Sequence, residues 1–150
     1  MELDSNKIEA SNNIGILYYK NYKFNKALKY YNKALETSLS FPETYNNIGL
    51  LLKDQGQNDQ SLLYFNKALE LKPDFVDANY NIANLLKDTG EPYKAISYYN
   101  EVLKLEPENS QALSQKLFQL ASICDWKNID QYKSKFKYIG ITKNHIEPFT

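Results

Sequence analysis

The sequence predicts an all-helical solenoid in which antiparallel helix pairs stack side by side. Hydrophobic residues follow a helical period, the chain superimposes on itself after a shift of 34 residues, and glycines or prolines recur where helices must end. The segment 42–75 shows the unit most clearly. Its first helix places Tyr45, Ile48 and Leu52 on one face and ends at Gly56, and its second helix ends before Pro73. Repetition of this unit gives about eight helices.

The positions that align after the shift explain why the unit repeats. Small residues recur at three places in the unit and an aromatic residue at a fourth. Small side chains let two antiparallel helices approach closely, and the aromatic ring fills the space between one pair and the next. The aligned sets are Gly15, Gly49 and Ala83; Ala27, Ser61 and Ala95; Tyr31, Phe65 and Tyr99; and Ala34, Ala68 and Val102.

The period divides the chain into segments of unequal regularity. Residues 1–7 match the end of a preceding unit, or are an ordinary chain terminus that matches by chance. Three regular repeats occupy 8–41, 42–75 and 76–109, a degenerate fourth repeat occupies 110–143, and a tail occupies 144–150. Tyr22 stands where later repeats have glycine, so we expect a differently shaped first turn. The bulky Leu117, Ile129 and Phe136 replace small residues in the fourth repeat, and we expect them to separate its helices.

A helix-turn-helix period of this length with this pattern of small and aromatic residues resembles the tetratricopeptide repeat. The resemblance implies a right-handed superhelix whose concave groove is lined by the first helix of each repeat. It also implies binding to a protein or peptide. Cys124, Asp125, Trp126 and Tyr132 further resemble the last repeats of O-linked N-acetylglucosamine transferases. That second resemblance implies a substrate-recruiting segment with a glycosyltransferase domain after it.

Charge and hydropathy exclude several other classes of function. The 18 basic residues, all lysine, balance 18 acids, and no basic stripe is evident, so we expect neither nucleic acid nor an anionic membrane as partner. No apolar run approaches the roughly 18 residues that span a bilayer, and the first residues are too polar for a signal peptide. A single cysteine agrees with a reducing compartment. We therefore expect a cytoplasmic protein.

No catalytic or metal-binding pattern is present. His145 is the only histidine and has no patterned carboxylate or nucleophile beside it. Cys124 is better explained as a buried turn residue than as a reactive thiolate. Clustered metal ligands and a glycine-rich phosphate loop are both missing from the sequence. The sequence thus predicts no enzyme, cofactor or metal in this segment, although the segment can belong to a longer transferase.

The candidate binding residues lie on the outward face of the first helices. An amide recurs at each repeat, an acid precedes the first three amides by four residues, and Asn84 follows Asn81 by three. An asparagine amide offers a donor and an acceptor, which match an extended peptide backbone. The resemblance to the transferases implies the same role for an asparagine column. Solvated or inter-helix amides are the alternative. The predicted groove residues are Asn13, Asn47, Asn81, Gln115, Glu9, Glu43, Asp77 and Asn84.

Two other functions remain open. A co-chaperone module would grip acidic C-terminal tails, but the matching groove positions hold Asn12, Ile16, Glu9 and Glu43, whose acids repel such a tail. A structural self-assembly segment would use the ends of the array or the surface tyrosines, and would give a homo-oligomer.

Overall fold

The computed structural model describes the backbone of residues 2–132 and the side chains of residues 5–132. This part of the chain contains eight helices and no strand, which confirms the all-helical prediction. The first seven helices are 13 to 19 residues long, and the last described helix has five. They are α1 (Glu2–Lys20), α2 (Phe24–Thr37), α3 (Pro42–Asp54), α4 (Asn58–Leu71), α5 (Val76–Asp88), α6 (Pro92–Leu105), α7 (Ser110–Ser122) and α8 (Trp126–Asp130).

The helix boundaries follow the sequence signals with one exception. Pro42 and Pro92 lie in the first turns of α3 and α6, where a missing N–H costs nothing. Asn109 caps α7 by accepting a hydrogen bond from the Ala112 N–H at 2.9 Å. The exception is α1, which begins at Glu2 although the first repeat was expected to begin at residue 8, so residues 2–7 continue the first helix. Whether they also end a preceding repeat stays a prediction.

The chain divides into two compact units within α5, between Asn81 and Ile82. The first unit contains α1 to α4 and the start of α5. In its core Ile48 and Leu51 of α3 pack with Ala27 and Tyr31 of α2. These contacts join the first repeat to the second, as expected where each repeat buries its apolar face against a neighbour.

The second unit contains the rest of α5 and the helices after it. Leu113, Leu117 and Leu120 of α7 form a buried cluster with Ile129 of α8. The two bulky residues noted in the fourth repeat thus lie in one apolar core. Phe136, the third of that set, lies outside the described residues.

Two glycines show why small residues recur on the first helices. A Cβ built on Gly49 would lie 2.6 Å from ring atoms of Phe65, and a Cβ on Gly15 would overlap the ring of Tyr31 in the same way. Real side chains do not approach so closely, so each aromatic ring packs directly on glycine backbone. The Ser61 hydroxyl donates a 2.7 Å hydrogen bond to the Gly49 carbonyl, which ties the same two helices together.

All four turns within the helix pairs have the same backbone geometry. The turn residue has a positive φ in each: 57° at Tyr22, 74° at Gly56, 79° at Gly90 and 57° at Cys124. The following N–H bonds a carbonyl five residues earlier, which is the Schellman arrangement. These bonds run from Lys23 to Tyr18, Gln57 to Leu52, Glu91 to Leu86 and Asp125 to Leu120, at 2.8 to 2.9 Å. The expectation of a different first turn is wrong, because the packed helices impose the left-handed conformation even on tyrosine.

Replacing Tyr22 by glycine is expected to raise the free energy of unfolding by up to about 1 kcal/mol. Glycine removes the cost of a left-handed residue with a Cβ, which is roughly 1 kcal/mol. Little packing is lost, because Tyr22 is 83 % exposed. Urea denaturation followed by circular dichroism measures the change. Gly56→Ala is the matched control and should lower the free energy of unfolding. If Tyr22→Gly also lowered it, the tyrosine ring would be stabilising the turn.

Candidate functional site

The predicted amides of the first three repeats all belong to the first unit. Asn13 lies on α1, Asn47 on α3 and Asn81 at the start of α5. Asn13 is exposed, whereas Asn47 and Asn81 are half-buried. The three amides are therefore accessible to different degrees.

Asn47 and Asn81 are held by the same hydrogen bond, made one repeat apart. The Asn47 Nδ2 donates to the Asn12 Oδ1 at 3.0 Å, and the Asn81 Nδ2 donates to the Asn46 Oδ1 at 2.9 Å. Both bonds join residues 35 positions apart, so each links one repeat to the next. Asn12 and Asn46, the acceptors, are each only 5 % exposed. We call these four residues the amide ladder, and each bonded pair, Asn12–Asn47 and Asn46–Asn81, a rung.

The ladder orients the side chains of Asn47 and Asn81. With each Nδ2 donated inward, the Oδ1 of Asn47 and of Asn81 makes no hydrogen bond to another described residue. The Asn12 Oδ1 also accepts a hydrogen bond from the buried Thr44 hydroxyl at 3.2 Å. This second bond holds the Asn12 side chain in place. The sequence suggested amides that offer both a donor and an acceptor. At Asn47 and Asn81 the structure leaves mainly the acceptor.

Each of the three predicted acids lies one helical turn before its amide. Glu43 and Asp77 occupy the first turns of α3 and α5, where a negative charge interacts favourably with the helix dipole. Glu9 lies within the longer α1. Glu9 and Asp77 are exposed and Glu43 is half-buried, and none of them forms an ion pair with another described residue. Their charge is available to a ligand.

The predicted groove residues of the second unit have different partners. The Gln115 Oε1 accepts a 3.3 Å hydrogen bond from the Lys87 Nζ. The Asn84 Oδ1 accepts a 2.7 Å hydrogen bond from the Tyr99 hydroxyl, so this amide helps to satisfy a buried aromatic residue. Neither residue takes part in a ladder bond. Asn47 and Asn81 thus share one kind of hydrogen bond, whereas Asn84 and Gln115 each bond a different side chain.

Sequence reasoning missed the buried half of the ladder. The signal was present, because the motif Asn-Asn-Ile-Gly occurs at 12–15 and again at 46–49. The outer asparagine of each doublet was assigned to the groove, and the inner one was not considered as its support. The third repeat has Tyr80 and Asn81 at these positions, so the doublet is interrupted there.

Two tyrosines of the first unit have raised pKa values for structural reasons. Burial raises the pKa of Tyr31 to about 12. Burial, and then the hydrogen bond to the Asp54 carboxylate at 2.5 Å, raise the pKa of Tyr19 above its usual range. The Tyr19–Asp54 bond links α1 to α3. Both rings stabilise repeat packing and are not candidates for catalysis.

Two other residues, Cys124 and His145, were considered from the sequence as reactive groups. Cys124 is exposed, which contradicts the expectation of a buried cysteine, because the left-handed turn directs its side chain to solvent. His145 lies outside the described residues. Among the side chains of residues 5–132 no cluster of metal ligands is present, and no helix in residues 2–132 is long and apolar enough to cross a membrane.

A stack of helix pairs with matching turns and a small-residue/aromatic interface defines a helical-repeat protein. Models of the tetratricopeptide repeat match residues 8–38, 42–75 and 76–109, which is more than half of the chain. The chain belongs to the tetratricopeptide-repeat family. Repeats of this family are protein-binding modules, so the general class of function is protein interaction.

Solved structures share the fold at low sequence identity. The first TPR domain of Spaghetti (RPAP3) bound to an HSP90 peptide is 20 % identical with a TM-score of 0.74, over 80 % of this chain and 95 % of that one. The O-GlcNAc transferase of Thermobaculum terrenum is 20 % identical with a TM-score of 0.71, over 78 % of this chain and 22 % of that one. MamA is 19 % identical with a TM-score of 0.79, over 93 % and 81 %. A search of curated proteins finds no significant match.

These likenesses support the fold and leave the partner open. The similar structures include a peptide-bound domain and part of a transferase, so similarity to the transferase is not specific. The particular function has to be argued from the site.

Proposed function

We propose that the first unit binds an extended peptide along its amide ladder. The observation that carries the proposal is the repetition of the same rung at Asn12–Asn47 and Asn46–Asn81. Each rung presents a half-buried Oδ1 in a fixed orientation. Backbone N–H groups of an extended peptide donate to these two oxygens, which lie one repeat apart.

Preorganisation is what makes the rung useful. A free asparagine side chain loses rotamer freedom when it binds, and this loss cancels part of the hydrogen bond. Asn47 and Asn81 are already fixed by Asn12 and Asn46, so a ligand meets acceptors that need little ordering. Each bond contributes roughly 0.5–1.5 kcal/mol, so two rungs alone give weak binding.

The neighbouring acids give the site a preference for basic side chains. Glu9, Glu43 and Asp77 lie one helical turn before the three amides and have no lysine partner among the described residues. They attract basic side chains and repel acidic ones. The proposed ligand is an extended segment with lysine or arginine near the residues that contact the ladder.

Docking of acidic C-terminal tails is less well supported, although a similar structure is the TPR domain bound to an HSP90 peptide. Asn12, one of the positions such a tail would need, is buried and already accepts hydrogen bonds from Thr44 and Asn47. The acids beside the ladder have the wrong sign for a terminal carboxylate.

The experiment begins with a peptide selected from a displayed random library on the wild-type protein. Its affinity is then measured by fluorescence anisotropy for wild type, Asn47→Ala and Asn12→Ala. Loss of one hydrogen bond should weaken binding by roughly 2- to 12-fold for Asn47→Ala. Asn12→Ala should weaken it less, because Asn12 only positions Asn47.

The matched control is Asn100→Ala, since Asn100 is exposed on α6 and belongs to no rung. It should bind like wild type. Circular dichroism establishes that each variant is folded. Unchanged affinity in a folded Asn47→Ala, or equal loss in Asn100→Ala, would contradict binding at the ladder.

We also propose that the bound peptide is a substrate of an O-linked sugar transferase. The resemblance of Cys124, Asp125, Trp126 and Tyr132 to the last repeats of such transferases supports this second step. A reading frame that continues past Thr150 into a glycosyltransferase domain would support it. A continuation into further repeats or an unrelated domain would contradict it and leave peptide binding untouched.

A further inference from the structure

The first repeat has a concentration of positive charge that the balanced totals hide. Residues 10–35 contain five lysines and no acid: Lys20, Lys23, Lys26, Lys29 and Lys33. The expectation that the chain has no basic stripe is therefore wrong for this repeat. All five side chains are exposed, and none forms an ion pair with another described residue.

The repeat architecture does not require these lysines. The equivalent positions of the second repeat, 34 residues later, hold Asp54, Gln57, Gln60, Leu63 and Lys67. Those of the third repeat hold Asp88, Glu91, Lys94, Ser97 and Glu101. The same helix pair is thus built in each later repeat with one lysine and four neutral or acidic residues at these places. Packing cannot account for the charge of the first repeat.

Most of these lysines lie along one side of α2. Lys26, Lys29 and Lys33 are spaced three and four residues apart, which places them on one face, and Lys23 precedes the helix. We call these four residues, with Tyr18 and Tyr30, the lysine face. From Lys23 to Lys33 it extends about 15 Å at 1.5 Å per residue.

Aromatic rings fix the arrangement of the face. The rings of Tyr18 and Tyr30 stack with centroids 5.4 Å apart. The Lys26 Nζ lies 5.6 Å from the Tyr18 ring centroid, and the Lys33 Nζ lies 5.9 Å from that of Tyr30. These cation–π contacts hold two ammonium groups at the ends of one stacked pair without neutralising them.

One end of the face is concave. An open cleft of about 320 Å³ is lined by Tyr22, Lys23, Phe24, Asn25, Lys26 and Gln55. Two ammonium groups and two amides, which all donate hydrogen bonds, thus border one depression. No side chain caps the N-terminus of α2 beside it. A carboxylate is a chemical group that accepts hydrogen bonds from these donors.

We infer that the lysine face binds a short acidic peptide segment. Its length suits four or five residues of an extended chain at about 3.3 Å each. The surroundings limit the ligand, because Glu36 follows on α2 and Asp54 lies at the end of α3, both exposed. A long polyanion or a flat anionic membrane would meet these acids as well as the lysines, whereas a short acidic segment meets the lysines alone.

The inference is independent of the amide ladder. The two surfaces share no residue: the lysines of the face lie on α2 or just before it, whereas the ladder asparagines lie on α1, α3 and α5. The two surfaces also prefer ligands of opposite charge. Asn47→Ala should therefore leave binding at the lysine face unchanged. Failure of one proposal does not remove the other.

The test uses fluorescein-labelled hexaglutamate and fluorescence anisotropy at low salt. The wild-type protein should bind the probe, and binding should weaken as salt is raised. The triple variant Lys26→Gln, Lys29→Gln, Lys33→Gln should bind roughly 3- to 150-fold more weakly, since it loses three exposed ionic contacts. Circular dichroism should show the same helix content, because these side chains are exposed.

The matched control removes the same charge elsewhere: Lys94→Gln, Lys104→Gln, Lys127→Gln, all exposed and outside the first repeat. Its affinity should stay within twofold of wild type. No binding by wild type, or equal losses in the two triple variants, would overturn the inference. Tighter binding of hexathymidylate than of hexaglutamate would assign the face to nucleic acid. Binding of phosphatidylserine vesicles without binding of hexaglutamate would assign the face to a membrane. Either of these last two results would also overturn the inference.

Discussion

Phe65→Ala is expected to lower the free energy of unfolding by about 3–5 kcal/mol, the range measured for large-to-small changes at buried aromatic residues. Phe65 is fully buried, and its ring lies directly on the backbone of Gly49 in the neighbouring helix. A packed helix pair cannot collapse into the space that the ring leaves, because the glycine has no side chain to move into it. Urea denaturation followed by circular dichroism measures the loss.

The matched control is Leu63→Ala on the same helix. Leu63 is 54 % exposed, so the same kind of truncation should cost less than about 1 kcal/mol. Similar losses at the two positions would contradict the assignment of Phe65 to the buried interface between α3 and α4.

Gly49→Leu is expected to lower the free energy of unfolding by about 2 kcal/mol or more. Even a Cβ at this position would lie 2.6 Å from the Phe65 ring, so a leucine must displace the ring or separate α3 from α4. Overpacking of this kind typically costs 1–3 kcal/mol and exceeds the gain in helix propensity over glycine, which is roughly 1 kcal/mol.

The double variant Gly49→Leu, Phe65→Ala distinguishes a local clash from a general loss of packing. The leucine occupies part of the volume that the ring leaves, so the two losses should not add, and the double variant should be more stable than Phe65→Ala alone. Additive losses would show that Gly49 and Phe65 act separately, contrary to the geometry.

Much of the fold could be predicted from the period and from residue size. The sequence predicted that small residues such as Gly49 let paired helices approach and that Phe65 fills the space between one pair and the next; the structure packs the Phe65 ring on Gly49 of the same pair. Period and size are local properties that survive in one sequence. The first turn was mispredicted because its shape depends on its surroundings and not on the local residue. A tyrosine at a glycine position is locally unfavourable, yet the Lys23–Tyr18 hydrogen bond and the packed helices hold it in the left-handed conformation.

The candidate site could be predicted only in part. The spacing of Asn47 and Asn81 located the amides, but their partners Asn12 and Asn46 lie across a repeat interface that helical periodicity does not describe. Asn84 fits the groove pattern equally well, although its oxygen accepts from Tyr99. Sequence spacing gives the face of a helix on which a residue lies. It does not give the atoms that are already hydrogen-bonded.

Burial of a charged residue was also beyond the sequence pattern. Lys116 stands where the first three repeats have Ile14, Ile48 and Ile82, and it is only 7 % exposed. Its Nζ donates to the Tyr132 hydroxyl at 2.5 Å and lies 4.6 Å from the centroid of the same ring. Nothing in the helical period predicts that a lysine at this position is covered by a tyrosine from beyond α8.

Nuclear magnetic resonance of the asparagine side-chain amides tests peptide binding at the ladder most directly. A selected peptide is titrated into the labelled protein, and the shifts of Asn47 and Asn81 are compared with those of the exposed Asn32 and Asn100. The proposed site predicts saturable changes at Asn47 and Asn81, smaller ones at Asn12 and Asn46, and none at Asn32 and Asn100. Changes confined to other residues, with Asn47 and Asn81 unaltered at saturation, would contradict it.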